Sequence, residues 1–423
     1  MNARTVAIVG GSVGNLIEWY DFYVYSFFSL YFAKAFFPDS SQTAQFSATA
    51  GIFALGFLMR PVGGYVMGRY ADRRGRRAAL TLAVLMMSGG SLVVGLCPAY
   101  ATIGEAAPAL LLAARLVQGL SLGGEYGASA TYLSEVSSPR HRGFQTSFQY
   151  VTLIGGQLTA SVTLFLLQHV LTAAQLEAWA WRIPFLIGAV LALAAFWLRR
   201  NIIETEDFRR LAAVPQDHRP QPLRALWGHR REVAVVLGLT MGGTLAFYVY
   251  TTYMPKFLVN STGLSRETAT LVSMLTLFLF ACMQPLLGAL SDRIGRRPLM
   301  IGFGVCGVLF TVPILSALRA THDPLTAFLL VLAGLAIVSG YTSINAVVKA
   351  ELFPAGIRAL GVALPYAVAV SVFGGSAEYV ALWFKSAGHE TWFFWYVTAM
   401  IGGSLLVYVS MRETRQTSLI GLG

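Results

Sequence analysis

Two carboxylates stand inside the first long apolar stretch of this 423-residue chain. Glu18 and Asp21 lie in the run Asn15-Leu-Ile-Glu-Trp-Tyr-Asp-Phe-Tyr-Val-Tyr25. Their spacing puts them on one helical face with Asn15 and Tyr25. The segment around them, near 6–33, exceeds the roughly 20 apolar residues that cross a bilayer. An acidic group at mid-membrane costs about 2.5–3.5 kcal/mol on insertion scales, so it is kept for pairing or for chemistry. Either the two carboxylates pair with buried arginines and lock a bundle, or they pass protons along a water-filled path; we adopt the second reading. Glu125, in a later apolar segment, is a third candidate for proton coupling.

Arginines supply the opposite charge. Arg60 falls near the middle of the second apolar segment and Arg115 in the outer half of the fourth, and they read as the only basic residues well inside the spans. A buried guanidinium needs a partner, and its fork takes a carboxylate through two parallel hydrogen bonds, which lysine cannot do. The two arginines either pair with Glu18, Asp21 or Glu125, or clamp a small dicarboxylate. Arg182 opens the sixth span beside Trp181 and Pro184, as an interfacial anchor or an anion-capturing group. Tyr23, Gln157, Tyr250 and Gln284 are candidate polar contacts to a substrate, and Glu378 is expected to pair or titrate.

The elements that position these groups follow from composition. Charged residues are 12% of the chain and hydrophobic ones 56%, against about 25% charged in soluble proteins. This is a polytopic membrane protein, all-α. Twelve spans are expected, near 6–33, 49–70, 79–98, 108–133, 144–168, 180–198, 233–256, 268–290, 299–318, 325–348, 359–384 and 391–411. They fall into an N-terminal six-helix bundle (1–198), a polar cytoplasmic linker (199–231) and a C-terminal six-helix bundle (232–423). The net charge of +11 does not point to nucleic acid, because the basic residues gather in alternate loops. By the positive-inside rule that places both termini in the cytoplasm. Cys97, Cys282 and Cys306 are isolated and read as packed free thiols, without a metal spacing. None of the four lysines follows a glycine, so no Walker A loop exists. Gly119-Leu-Ser121-Leu-Gly123 matches a nucleophile elbow formally, but a mid-helix setting excludes that chemistry. Gly119, Gly123 and Gly127 instead give one small face for close helix contact.

The halves repeat. Gly68-Arg-Tyr-Ala-Asp72-Arg-Arg-Gly75-Arg76-Arg77 follows the second span, and Gly288-Ala-Leu-Ser-Asp292-Arg-Ile-Gly295-Arg296-Arg297 follows the eighth. Glu135 precedes Arg142 as Glu351 precedes Arg358. Two motifs repeated in register argue for duplicated bundles related by a pseudo-two-fold axis. Gly68 is expected where helices approach closely, and Asp72 just beyond a helix end, accepting N–H groups of the next helix. Gly68, Asp72, Arg76, Glu135, Arg142, Asp292, Arg296, Glu351 and Arg358 are therefore candidate gating residues.

The duplicated loop motif in a twelve-span chain, with Arg115-Leu-Val-Gln118-Gly119, resembles the major facilitator superfamily. Asn15 to Tyr25, Gly56-Phe-Leu-Met-Arg60-Pro61 and Gly119-Leu-Ser-Leu-Gly-Gly-Glu125-Tyr-Gly127 resemble its metabolite:proton symporter family. Phe148 to Gln157, Trp181 to Phe185 and Gly374 to Leu382 resemble one member in particular, which implies α-ketoglutarate as the substrate. The resemblance implies a monomer in the bacterial inner membrane, with the proton as coupling ion and no other cofactor. Citrate, a monocarboxylate, shikimate and betaine or proline stay open as substrates; a membrane enzyme or a nutrient receptor is the reading from another class. In the expected mechanism, Arg60 and Arg115 pair at rest with carboxylates of the first and fourth spans. The incoming dianion takes the arginines, and a displaced carboxylate takes a proton.

Overall fold

In the computed structural model the described residues are 3–74, 76–123, 125–199 and 226–420. The side chains of Asp72, Arg76, Arg77 and Glu125 are outside the described set. The described residues are helical with short connections and contain no strand. We number the long helices α1 (Ala3–Phe36), α2 (Gln42–Arg74), α3 (Arg76–Leu96), α4 (Ala106–Leu122, then Glu125–Val136), α5 (Arg142–Val170) and α6 (Ile183–Arg199). The second half has α7 (Arg230–Tyr248, then Met254–Asn260), α8 (Arg266–Ile294), α9 (Arg296–Ala320), α10 (Pro324–Thr342, then Asn345–Glu351), α11 (Arg358–Ala369, then Ala377–Ser386) and α12 (Glu390–Ser410). Among the described residues, eight helices (α2, α5 and α7 to α12) are long and apolar enough to cross a membrane. The expected linker falls largely outside the described residues; its last two positions, Arg230 and Arg231, are already helical in α7.

Several helices are irregular. Both α4 and α10, which hold matching places in the two halves, are interrupted in their second half. In α7 and α11 a π-helical turn intervenes, at Val249–Tyr253 and Val370–Gly374. Such turns widen the helix locally and re-aim side chains. Here the second turn lets Ser371 donate to the Phe57 carbonyl of α2 at 2.5 Å.

Small residues set how the helices meet. A Cβ on Gly119 would lie 1.9 Å from the Gly56 carbonyl oxygen, and one on Gly123 2.1 Å from that of Arg60. From the other side, a Cβ on Gly63 would lie 2.1 Å from the Leu120 oxygen. So α2 and α4 touch backbone to backbone, as the glycine spacing predicts, and this contact draws Arg60 and Arg115 into one place. Gly127 instead meets Ala363 of α11, across the bundles. The Gly-x-Ser-x-Gly stretch is α-helical through Ser121, whose hydroxyl donates to the Ala83 carbonyl at 2.7 Å.

The bundles join along two seams, α5 against α8 and α2 against α11. Gly288 is a close-approach position, since its Cβ would come 2.6 Å from the Gly143 oxygen. Gly68 is not: a Cβ there would meet nothing within 4 Å. That corrects the expectation from the motif, because the α5–α8 seam uses its glycine and Gly68 faces open space. Asp72 also lies within α2 rather than beyond its end. Of the three free thiols, Cys97 is buried, but Cys282 is exposed on the helix surface rather than packed.

Candidate functional site

Arg60 and Arg115 are both buried, at 4% and 0% exposure. Their guanidinium carbons flank one ring, that of Phe22, at 4.7 and 4.4 Å from its centroid. Arg60 also lies over Phe57 at 3.9 Å and Trp19 at 5.2 Å. Arg115 lies by Tyr25 at 4.5 Å and Phe53 at 5.3 Å. Aromatic faces attract a cation without neutralising it, so they hold both guanidiniums in place and leave the charge available. Among the described residues, Nε and Nη2 of each arginine have no hydrogen-bond partner. Those two atoms form the side edge of a guanidinium, which meets the two oxygens of a carboxylate.

The third nitrogen of Arg115 has a partner. Nη1 donates to Gln118 Oε1 at 2.8 Å, and Gln118 Nε2 donates to Ser91 Oγ at 2.8 Å. Ser91 Oγ donates to Asp21 Oδ1. Arg115 thus reaches the Asp21 carboxylate through two neutral side chains, which corrects the expectation of a direct pair. The reason is lateral: Asp21 is fully buried and turned toward Ser91 of α3 and Gly188 of α6, away from α4. Its other oxygen has no hydrogen-bond partner among the described residues. Glu18 lies beside it, at a small gap lined also by Val84, Met87 and Ala192. Asn15 shares that face and fixes Trp19, accepting its Nε1–H at 3.0 Å and donating to Thr152 at 2.7 Å.

Other expected contacts divide by position. Tyr23 and Gln157 stand at the junction of the bundles: the Tyr23 hydroxyl donates to that of Tyr248 at 3.3 Å, and Gln157 Nε2 to Thr251 at 3.2 Å. Tyr250 is turned into the C-terminal bundle, against Gly334 and Thr311. Gln284 is engaged there too, accepting from Thr342 at 2.8 Å and donating to the Phe280 carbonyl at 3.0 Å. Arg182 donates to the Cys97 carbonyl at 3.0 Å and covers Trp181, as an anchor of helix ends.

Basic residues inside the spans are not confined to Arg60 and Arg115, which corrects the sequence reading. Lys256 on α7 is buried and ion-paired to Glu378, which also accepts from Ser26 at 3.3 Å. Lys349 on α10 is fully buried, donating to Asn345 Oδ1 at 2.8 Å. The hydropathy pattern ends the seventh and tenth spans at these charges, which puts both lysines at span boundaries in the sequence. The four-residue spacing of Asn345 and Lys349 was the signal that both belong to one helical face.

Polar contacts bridge the bundles at both ends of their junction. At the end carrying the duplicated loops, Asp292 accepts the backbone N–H groups of Gly143 at 2.8 Å and Phe144 at 2.9 Å. These open α5 in the other bundle, where a carboxylate also favours the positive helix terminus. Asp292 thus reaches the N–H groups of α5; the side chain of Asp72, for which the sequence suggests the N–H groups of the next helix, lies outside the described residues. Arg296 braces Asp292 at 2.8 Å. The repeated acid–base motifs pair crosswise: Glu135 with Arg358 at 2.5 Å, and Glu351 with Arg142 at 3.9 Å. At the opposite end, Arg266 pairs with Glu177 at 2.6 Å and Gln168 donates to Thr270 at 3.1 Å.

Residues 12–377 match the family model described as the Major Facilitator Superfamily. The chain is 56% identical over 410 residues to the alpha-ketoglutarate permease of Escherichia coli (strain K12), covering 97% of this chain and 94% of that one. It is 37% identical over 379 residues to the citrate-proton symporter of Klebsiella pneumoniae, covering 88% and 84%. Among solved structures, the proton:xylose symporter XylE bound to 6-bromo-6-deoxy-D-glucose aligns with a TM-score of 0.77 at 19% identity, over 98% of this chain and 97% of that one. At that identity the likeness is one of fold.

Proposed function

Because this chain belongs to the Major Facilitator Superfamily, we propose that its two six-helix bundles rock about one central site and import α-ketoglutarate together with protons. The observation that carries this reading is the pair of buried arginines on Phe22, each with its carboxylate-binding edge unpartnered among the described residues. The identity to the Escherichia coli permease supports the choice of dianion. The chain works as a monomer in the bacterial inner membrane, with the basic loops and both termini on the cytoplasmic side.

With contacts bridging both ends this is an occluded form, and opening either end exposes the arginines to one side of the membrane. A substrate carboxylate then takes the free edge of Arg60 or Arg115. Tyr23 and Gln157, at the junction, orient the rest of the molecule. The dianion brings negative charge to Arg115, which is linked through Gln118 and Ser91 to Asp21. Two like charges are disfavoured where water is excluded, so a proton joins the carboxylate as the anion arrives. Asp21 carries that proton, with Glu18 and Glu125 as further steps of the path. The ion pairs at Glu135, Arg142, Asp292, Arg296, Glu351 and Arg358 hold the cytoplasmic gate and break when it opens; Asp72 and Arg76 take the equivalent part on the other seam.

Competition in proteoliposomes tests the substrate. Uptake of labelled α-ketoglutarate is expected to be blocked by five-carbon dicarboxylates and untouched by betaine or proline. Transport of betaine or proline with indifference to dicarboxylates overturns the assignment.

A further inference from the structure

The scheme above leaves Lys349 without a part. Its ammonium is fully buried, and burying a cation is unfavourable unless an anion meets it. Lys256, buried to the same degree, has Glu378. For Lys349 no carboxylate of the described residues stands within 4.0 Å of Nζ. Its partners are neutral: Asn345 Oδ1 at 2.8 Å, Tyr126 Oη at 3.4 Å and the ring of Tyr366 at 4.0 Å. Lys256 thus has a carboxylate beside it, and Lys349 has none among the described residues.

The position matters as much as the charge. Tyr126 is on α4, Asn345 on α10 and Tyr366 on α11, so Lys349 stands where the bundles meet. The Tyr126 hydroxyl donates to Asn345 at 2.7 Å, and the rings of Tyr126 and Tyr366 stack at 3.6 Å. Arg60 is within electrostatic reach of Tyr366 and of Tyr248. Tyr366 therefore links the two places: Lys349 of one bundle lies over its ring at 4.0 Å, and Arg60 of the other acts on it at longer range.

We infer that Lys349 binds the second carboxylate of the transported dianion, the first being held by the arginines. This rests on the dicarboxylate reading of the site. A dianion held so ties α10 to α2 and α4, and it offsets a buried charge that a monocarboxylate leaves uncompensated. Lys349 is then the residue that separates dicarboxylates from monocarboxylates. An ammonium suits the distal group, because a point charge accepts several approach directions where a guanidinium fork demands one.

The test compares α-ketoglutarate with 2-oxopentanoate, which has a methyl group in place of the distal carboxylate, binding to the purified full-length protein in nanodiscs. Lys349→Gln is expected to weaken α-ketoglutarate binding about 10- to 100-fold and to leave 2-oxopentanoate within about twofold. Lys349→Arg keeps the preference for the dicarboxylate. Equal loss for both ligands, or an unchanged affinity for α-ketoglutarate, overturns the inference. If Lys349→Gln does not fold, the wild type decides through acylation of its four lysines, read by peptide mass spectrometry. α-Ketoglutarate is expected to protect Lys349 and saturating 2-oxopentanoate is not; equal protection, or none, overturns the inference. A wild type that binds no α-ketoglutarate removes the substrate reading itself and this inference with it.

Discussion

Replacing Arg60 or Arg115 by lysine keeps the positive charge and removes the flat fork. In each arginine, Nε and Nη2 lie on one edge and have no hydrogen-bond partner among the described residues, so each edge can give a carboxylate two parallel bonds. Lysine offers one donor point at that place, so at least one charge-assisted bond is lost. Such a bond contributes about 1.5–3 kcal/mol, which is roughly 10- to 100-fold in affinity. Arg115→Lys also breaks the 2.8 Å bond to Gln118, so it should disturb coupling as well as binding. Arg60 is not part of that chain; it faces the Tyr248 hydroxyl and contacts Phe57, Phe22 and Trp19, so its variant should lose affinity without the coupling defect. Both guanidiniums share Phe22, so the double variant should fall short of the sum of the two effects. The assay is equilibrium binding of α-ketoglutarate to purified protein, with thermal unfolding alongside to verify folding. Unaltered affinity in both single variants refutes the clamp, even if α-ketoglutarate remains the substrate.

Asp21→Asn and Ser91→Ala interrupt the chain from Arg115 to Asp21 at different links, and both should lose proton-driven accumulation while keeping counterflow. Normal accumulation in both takes Asp21 out of the proton path. Asp292→Asn retains one acceptor oxygen but loses the charge that faces the α5 terminus and Arg296. A cysteine at Ser147, buried behind Gly288, should then react faster with an impermeant maleimide added from the basic-loop side; an unchanged rate reduces the motif to a topological anchor.

The sequence made the spans legible because a bilayer demands long apolar runs, and it made the duplication legible because the loop motifs repeat in register. Charges near span ends were not legible. A hydropathy pattern stops at a lysine whether the helix stops or not, and so Lys256 and Lys349 were placed at boundaries while their helices run on to Asn260 and Glu351. The crosswise pairing of Glu135 with Arg358 and of Glu351 with Arg142 was hidden for another reason. The repeat gives the members of each half, but which half closes on which is a property of the two-fold packing. Arg60 and Arg115 were found because a guanidinium in a span is conspicuous in itself. Their link to Asp21 was missed because Ser91 and Gln118 are ordinary polar residues whose spacing carries no signal. Gly68 and Gly288 occupy the same motif position, yet only Gly288 is pressed against the other bundle; composition cannot distinguish them.

The central claim is that α-ketoglutarate and protons enter together, and proton movement is its most direct measure. Purified protein is placed in proteoliposomes loaded with a pH-sensitive dye, with no ion gradient and the membrane potential clamped. External α-ketoglutarate is then added. The account predicts immediate acidification of the lumen, absent with betaine and absent in Asp21→Asn. Entry of labelled α-ketoglutarate into the same vesicles without acidification contradicts it.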